Sequence, residues 1–190
     1  MSRNNLSNYS GNCHEVIVFM DLQSRLLSSI KNAECILATS SILGQASGIL
    51  GVPAFVTEQV PDKLGRTESS LGNSLKKFKL IEKDTFSAFG SDAFSNSIRK
   101  LTNGKLILAG IETSICIYLT AIDAMSRGLQ VTIISDGIGC RRENDGMHCL
   151  RQMQYFGADI VPLETYLFSK LKSSDHPHFK DISRLIKSRE

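Results

Sequence analysis

Lys105–Gly110 reads KLILAG, Thr113–Arg127 reads TSICIYLTAIDAMSR, and Gln130–Ser135 reads QVTIIS. The outer two are short, continuously apolar runs of strand length, the pattern of strands covered on both faces. The middle segment is long enough for a helix. Its Ile115, Leu119, Ile122 and Met125 form one apolar stripe, and Gly128 stands as a stop. Strand, helix and strand in so short a span make a β-α-β unit, whose two strands must run parallel.

The same alternation extends in both directions. Glu15–Asp21 (EVIVFMD), Ala54–Thr57 (AFVT), Phe78–Glu82 (FKLIE) and Asp159–Val161 (DIV) read as further strands. Helical spacing covers Ala33–Gly51, Asp92–Leu101 with Ser91 as N-cap, Glu143–Phe156 before Gly157, and Glu164–Leu171. Pro177–Lys187 suggests a separate tail helix. The expected fold is α/β: three layers, with helices on both faces of a six-stranded, mostly parallel sheet. One domain is expected over residues 14–190, preceded by a flexible segment over residues 1–13. The long irregular stretch is Glu58–Leu75, rich in Gly, Ser and charge, and loops of that length are often functional or pack on a partner.

Bulk properties narrow the function. The 190 residues are 42% hydrophobic and 22% charged, with a formal net charge of +3. Charge this small and scattered solvates a surface, so no nucleic-acid partner is expected. Ser2–Cys13 is polar and lacks the apolar core of a signal peptide. No apolar run reaches the roughly 20 residues that span a bilayer, so no membrane partner is expected. The five cysteines are odd in number and show no C-x-x-C spacing, which points to free thiols in a reducing, cytoplasmic setting.

In open parallel sheets, ligands bind beyond the carboxyl ends of the strands. That edge collects Asp21, Thr57–Gln59, Lys83, Gly110–Cys116 and Asp136–Arg142. The turn after the first strand, Asp21-Leu22-Gln23-Ser24, has neither G-x-G-x-x-G nor a P-loop, and Gly137-Ile138-Gly139 comes too late in the chain to supply one. Cys116 falls in the first turn of its helix, where the helix field favours a thiolate and a nearby lysine would add to it. Taken singly, each residue has a plain alternative. Cys116 could be a buried small hydrophobe, Lys83 a surface lysine, and Asp21 a turn cap or a Mg²⁺ ligand.

Four blocks carry a family resemblance: Val16–Gln23 (VIVFMDLQ), Glu82–Phe89 (EKDTFSAF), Lys105–Cys116 (KLILAGIETSIC) and Ala121–Gly137 (AIDAMSRGLQVTIISDG). In this order they resemble the isochorismatase-like cysteine hydrolases, the superfamily of nicotinamidases and N-carbamoylsarcosine amidase. Val52–Gly65 and His176–Lys187 are similar to its isochorismatase-domain-containing subgroup. The resemblance implies a Rossmann-like strand order 3-2-1-4-5-6 and a catalytic set of Asp21 as base, Lys83 as the group that favours the charged state, and Cys116 as nucleophile. It further implies a non-proline cis peptide at Ile111–Glu112, an oxyanion hole from the Glu112 and Cys116 amides, and hydrolysis of a small amide-like C–N substrate in a homo-oligomer. At the Glu112 position any side chain would serve, because the backbone does the work. Gln23, Phe86 and Tyr118 are the candidates for substrate contact. Arg141 and Arg142 read as solvated loop residues or as anchors for an acidic substrate.

Nicotinamidases of the family carry an Asp and two His as metal ligands after the second strand. Thr57–Leu64 (TEQVPDKL) has no His, so neither a metal nor an organic cofactor is expected. His14, His148, His176 and His178 lie far from that block. Two rival functions remain: a non-catalytic interaction protein with a relic site, and an ether hydrolase that works without the cysteine. Activation predicts a Cys116 that alkylates faster than the other four thiols. Glu58–Leu75 and the tail helix are the candidates for a subunit interface.

Overall fold

The computed structural model describes residues 15–99, 101 and 103–189; the segment expected to be flexible, residues 1–13, lies outside them. The strands are β1 (Glu15–Met20), β2 (Ala54–Gln59), β3 (Lys79–Lys83), β4 (Lys105–Ile111), β5 (Gln130–Gly139) and β6 (Asp159–Val161). They form one sheet in the order β3-β2-β1-β4-β5-β6, with every neighbouring pair parallel. The helices are α1 (Ser24–Leu27), α2 (Ala33–Leu50), α3 (Pro61–Leu64), α4 (Ser69–Ser74), α5 (Asp92–Ile98), α6 (Tyr118–Ser126), α7 (Glu143–Tyr155), α8 (Leu163–Leu171) and α9 (Phe179–Lys187).

Alternation along each strand divides the core. Ile17 and Phe19 of β1 point to one face, packed with Ile36 and Leu43 of α2, Leu167 of α8 and Ile182 of α9. Val16, Val18 and Met20 point to the other, packed with Phe94 of α5, Ala121 and Ala124 of α6, and Met153 of α7. Phe94 anchors that second face, with its ring edge-on to both Phe55 and Phe89. The α2 helix is long and apolar enough to cross a bilayer by length and composition alone, yet Ile36, Ile42, Leu43 and Ala46 are buried against the sheet.

Several boundaries differ from the sequence pattern, each for a local reason. The Glu58–Leu75 stretch contains α3 and α4, and α4 packs on α2 of its own domain. The expected tail helix is α9, and it docks on the domain. The apolar face of α9 buries Ile182 and rests Phe179, Leu185 and Ile186 against the α2 side of the core. Both segments proposed for a subunit interface thus turn apolar surface inward. Ser91 sits at the α5 N-cap without a side-chain capping bond. The expected stripe of Ile115, Leu119, Ile122 and Met125 is also displaced: the residues α6 buries are Thr120, Ala121 and Ala124, while Leu119 is 39% exposed. Small side chains let the helix lie close to the sheet, and the larger ones are left at its flanks.

Gly110 joins fold to site. It has φ +117°, and a Cβ there would fall 2.1 Å from the Met20 carbonyl oxygen. Only glycine permits β4 to run this close to the end of β1 while turning toward Glu112. The register between β4 and β5 shifts between Leu108 and Gly110, and β5 then continues to Gly139. Asp136 is therefore a strand residue. It accepts a hydrogen bond from the Leu163 amide (2.8 Å) and pairs with Arg189 (2.5 Å), so it ties down α8 and the tail and takes no part in the site.

Candidate active site

Asp21 is the first residue beyond β1, with φ +51°, a conformation aspartate tolerates better than bulky residues. Its amide donates to the Thr57 carbonyl (3.2 Å), and the Thr57 hydroxyl donates to Asp21 Oδ1 (2.6 Å). Oδ2 receives Lys83 Nζ at 2.7 Å, and neither side chain has any solvent exposure. Taking two charges out of water is costly and needs further hydrogen bonds to hold it. Lys83 finds them in Gln59 Oε1 (2.5 Å) and the Thr85 carbonyl (3.2 Å), with the Phe86 carbonyl at 3.5 Å. The same ammonium lies 3.7 Å from Cys116 Sγ.

Thr57 and Gln59 hold no stated role in the sequence pattern, although both stand on the expected site edge. Two apart in a strand, they project to the same side and grip Asp21 and Lys83 respectively. The signal was there to read: an apolar strand that ends in three polar residues, Thr57–Glu58–Gln59, all of them buried.

The peptide between Ile111 and Glu112 is cis. Beyond it the Glu112 carbonyl accepts bonds from the Ile115 and Ile117 amides, both 3.1 Å. The second closes a π-type turn over Thr113–Ile117, a geometry common at functional sites. The expected uninterrupted helix is thus a π turn followed by α6. The turn presents Cys116, 7% exposed, to the Asp21–Lys83 pair. There Lys83 Nζ lies within 3.7 Å of the sulfur.

Burial and the adjacent Asp21 carboxylate push the Cys116 thiol up to about 12; Lys83 and the Glu112 amide pull the other way but do not prevail. The expectation of a resting thiolate is corrected here. Asp21 and Lys83 already neutralise each other, so ionising the thiol would leave a net negative charge in a site shielded from water. A group whose pKa rises on folding favours the protonated state, so its stabilising effect is complete below about pH 9 and declines from there toward pH 12. Cys116 in the free protein should accordingly react with iodoacetamide more slowly than the exposed Cys35 at neutral pH, gaining rate as pH climbs from 9 toward 12. Peptide mapping by mass spectrometry across that range checks this, and a Cys116 that outpaces Cys35 at pH 7 would restore the thiolate.

The expected substrate contacts divide. Phe86 stays at the site, its carbonyl near Lys83 and its side chain 58% exposed. Gln23 is corrected: it is fully buried, and its amide bonds the Gln59 and Gly65 backbones, which pins the chain beyond β2. The Tyr118 hydroxyl donates to Gln152 on α7 at 2.9 Å and so braces the two helices. Arg141 pairs with Glu112 at 2.6 Å, and Arg142 is exposed with only a distant Asp145 at 3.9 Å. Among the described residues, no group of three or more His, Cys, Asp or Glu is placed to hold a metal ion.

Asp, Lys and Cys thus meet at the carboxyl edge of a parallel sheet, and a profile of the Isochorismatase domain matches residues 15–165. The chain belongs to the isochorismatase family. Isochorismatase domain-containing protein 2 of Danio rerio is 30% identical over 172 residues, 90% of this chain and 86% of that protein. Among solved structures, a MAR1 ribonuclease from Caenorhabditis elegans superposes with a TM-score of 0.87 at 31% identity, covering 93% of this chain and 91% of that one. A pyrazinamidase/nicotinamidase from Streptococcus mutans shares the fold at 21% identity and a TM-score of 0.68, over 77% and 99% of the two chains. The strand order found here is the one that family resemblance implied.

Proposed function

We propose that this isochorismatase-family protein hydrolyses a small amide-like substrate through a thioester on Cys116. The supporting observation is the buried contact of Lys83 with Asp21 at 2.7 Å and with Cys116 at 3.7 Å. Because the resting thiol is neutral, deprotonation coincides with attack. Sγ bonds to the substrate carbonyl carbon as the thiol proton passes to Asp21. The oxyanion is received by the Glu112 and Cys116 amides. The C–N bond breaks, and the leaving amine takes the proton from Asp21. Water then gives a proton to Asp21 and attacks the thioester, which releases the acid and returns the proton to sulfur. Lys83 keeps Asp21 aimed throughout. The net change is amide plus water to acid plus amine, with no cofactor consumed.

A phosphodiester substrate, which the name of the worm neighbour raises, has less support. Two of the cations on the site edge, Lys83 and Arg141, are already matched to Asp21 and Glu112. The four described cysteines are unpaired, in keeping with a reducing, cytoplasmic setting. Incubation with p-nitrophenyl acetate at pH 8, followed by acid quench and peptide mapping, should recover an acetyl group on the Cys116 peptide. An enzyme that acquires none there would refute the nucleophile; a screen of small amides, hydroxamates and carbamoyl compounds then finds the substrate class.

A further inference from the structure

From the contacts around Glu112 we infer that Arg141 is a positioning residue, acting through the Glu112 side chain to fix the amide that receives the oxyanion. This rests on the cysteine-hydrolase reading above and adds a specific device to it. Sequence alone treats the Glu112 side chain as indifferent. In the structure it is held twice by one residue: Arg141 Nε lies 2.6 Å from Oε1, and the Arg141 amide donates to Oε2 at 3.3 Å. Glu112 is 13% exposed at its side chain and Arg141 57%.

The surroundings make this grip consequential. On its N-terminal side Glu112 follows Ile111, which pairs with Gly139 of β5. On its C-terminal side its carbonyl accepts the two amides that build the π turn. One residue therefore carries the nucleophile's turn and an oxyanion donor. Its side chain is the remaining degree of freedom, and Arg141, two residues past β5, removes it. A half-exposed ion pair contributes little to global stability. Its consequence is geometric, since an oxyanion donor must lie within a few tenths of an ångström of its target.

The test separates this from a general structural role by comparing two reactions of the same sulfur. Acylation by p-nitrophenyl acetate forms an S–C bond and breaks the ester C–O bond; p-nitrophenolate leaves, the thiol proton passes to Asp21, and an oxyanion develops on the way. Alkylation by iodoacetamide displaces iodide and develops no such charge. In Arg141→Met, acylation at Cys116 should fall about 10- to 100-fold, with alkylation changed less than about 3-fold. Glu112→Met should show the same split, and the double variant should be no worse than Glu112→Met. Arg141→Lys, which keeps a point charge without the guanidinium fork, serves if Arg141→Met does not fold, and should fall in the same selective way. Unchanged acylation, equal losses in both reactions, or additive losses in the double variant would overturn the positioning role alone. A wild-type Cys116 that is alkylated but never acylated would overturn the hydrolase reading and this one together.

Discussion

Cys116→Ala should abolish covalent capture and lower turnover of any amide substrate by at least about 10⁴-fold, while the protein remains folded. The size follows from the chemistry. The thiol is the strongest nucleophile at the contact of Asp21 and Lys83, and without it Asp21 and the Glu112 amide could only assist water. The structural cost is small because Cys116 contributes one sulfur at the margin of the α6 side of the core, where it is already 7% exposed. Circular dichroism establishes the fold, and kcat/KM on the substrate found by screening gives the loss. Full turnover in Cys116→Ala would favour an ether hydrolase that works without the cysteine. A wild-type protein with neither turnover nor adduct would favour the relic site.

Lys83→Met is expected to have the largest effect on stability. It leaves the Asp21 carboxylate fully buried, with the Thr57 hydroxyl still on Oδ1 but its cation gone. Removing one partner of such a pair costs about 3–5 kcal/mol, a large part of the roughly 5–15 kcal/mol that holds a domain together. The double variant Asp21→Asn/Lys83→Met should regain most of that stability without regaining activity, because no buried charge remains and no base remains either. Urea denaturation of both variants decides. A loss below about 1 kcal/mol in Lys83→Met would mean that Asp21 reaches water or another cation. The sign of the double variant separates this pair from an ordinary stabilising ion pair, for which the second substitution adds nothing.

How much of this was written in the chain can be traced residue by residue. The continuous apolar strands at 105–110 and 130–135 with a helix between them impose parallel pairing, and parallel strands with crossover helices impose a three-layer domain. From this follows one active edge, and with it the candidacy of Asp21, Lys83 and Cys116. These are consequences of local pattern, because a strand covered on both faces has no polar alternative and a crossover has essentially one hand.

Tertiary structure decided what depends on neighbours that the sequence does not name. Gln23 and Tyr118 have the right position for substrate contact, yet backbone groups beyond β2 and a glutamine on α7 claim their polar atoms. Thr57 and Gln59 became the supports of the charged pair because β2 lies between β1 and β3. The protonation state of Cys116 reversed for the same reason. A helix N-terminus and a lysine argue for an anion, but the thiol also loses water and faces a carboxylate, and those two effects appear only once the chain is packed.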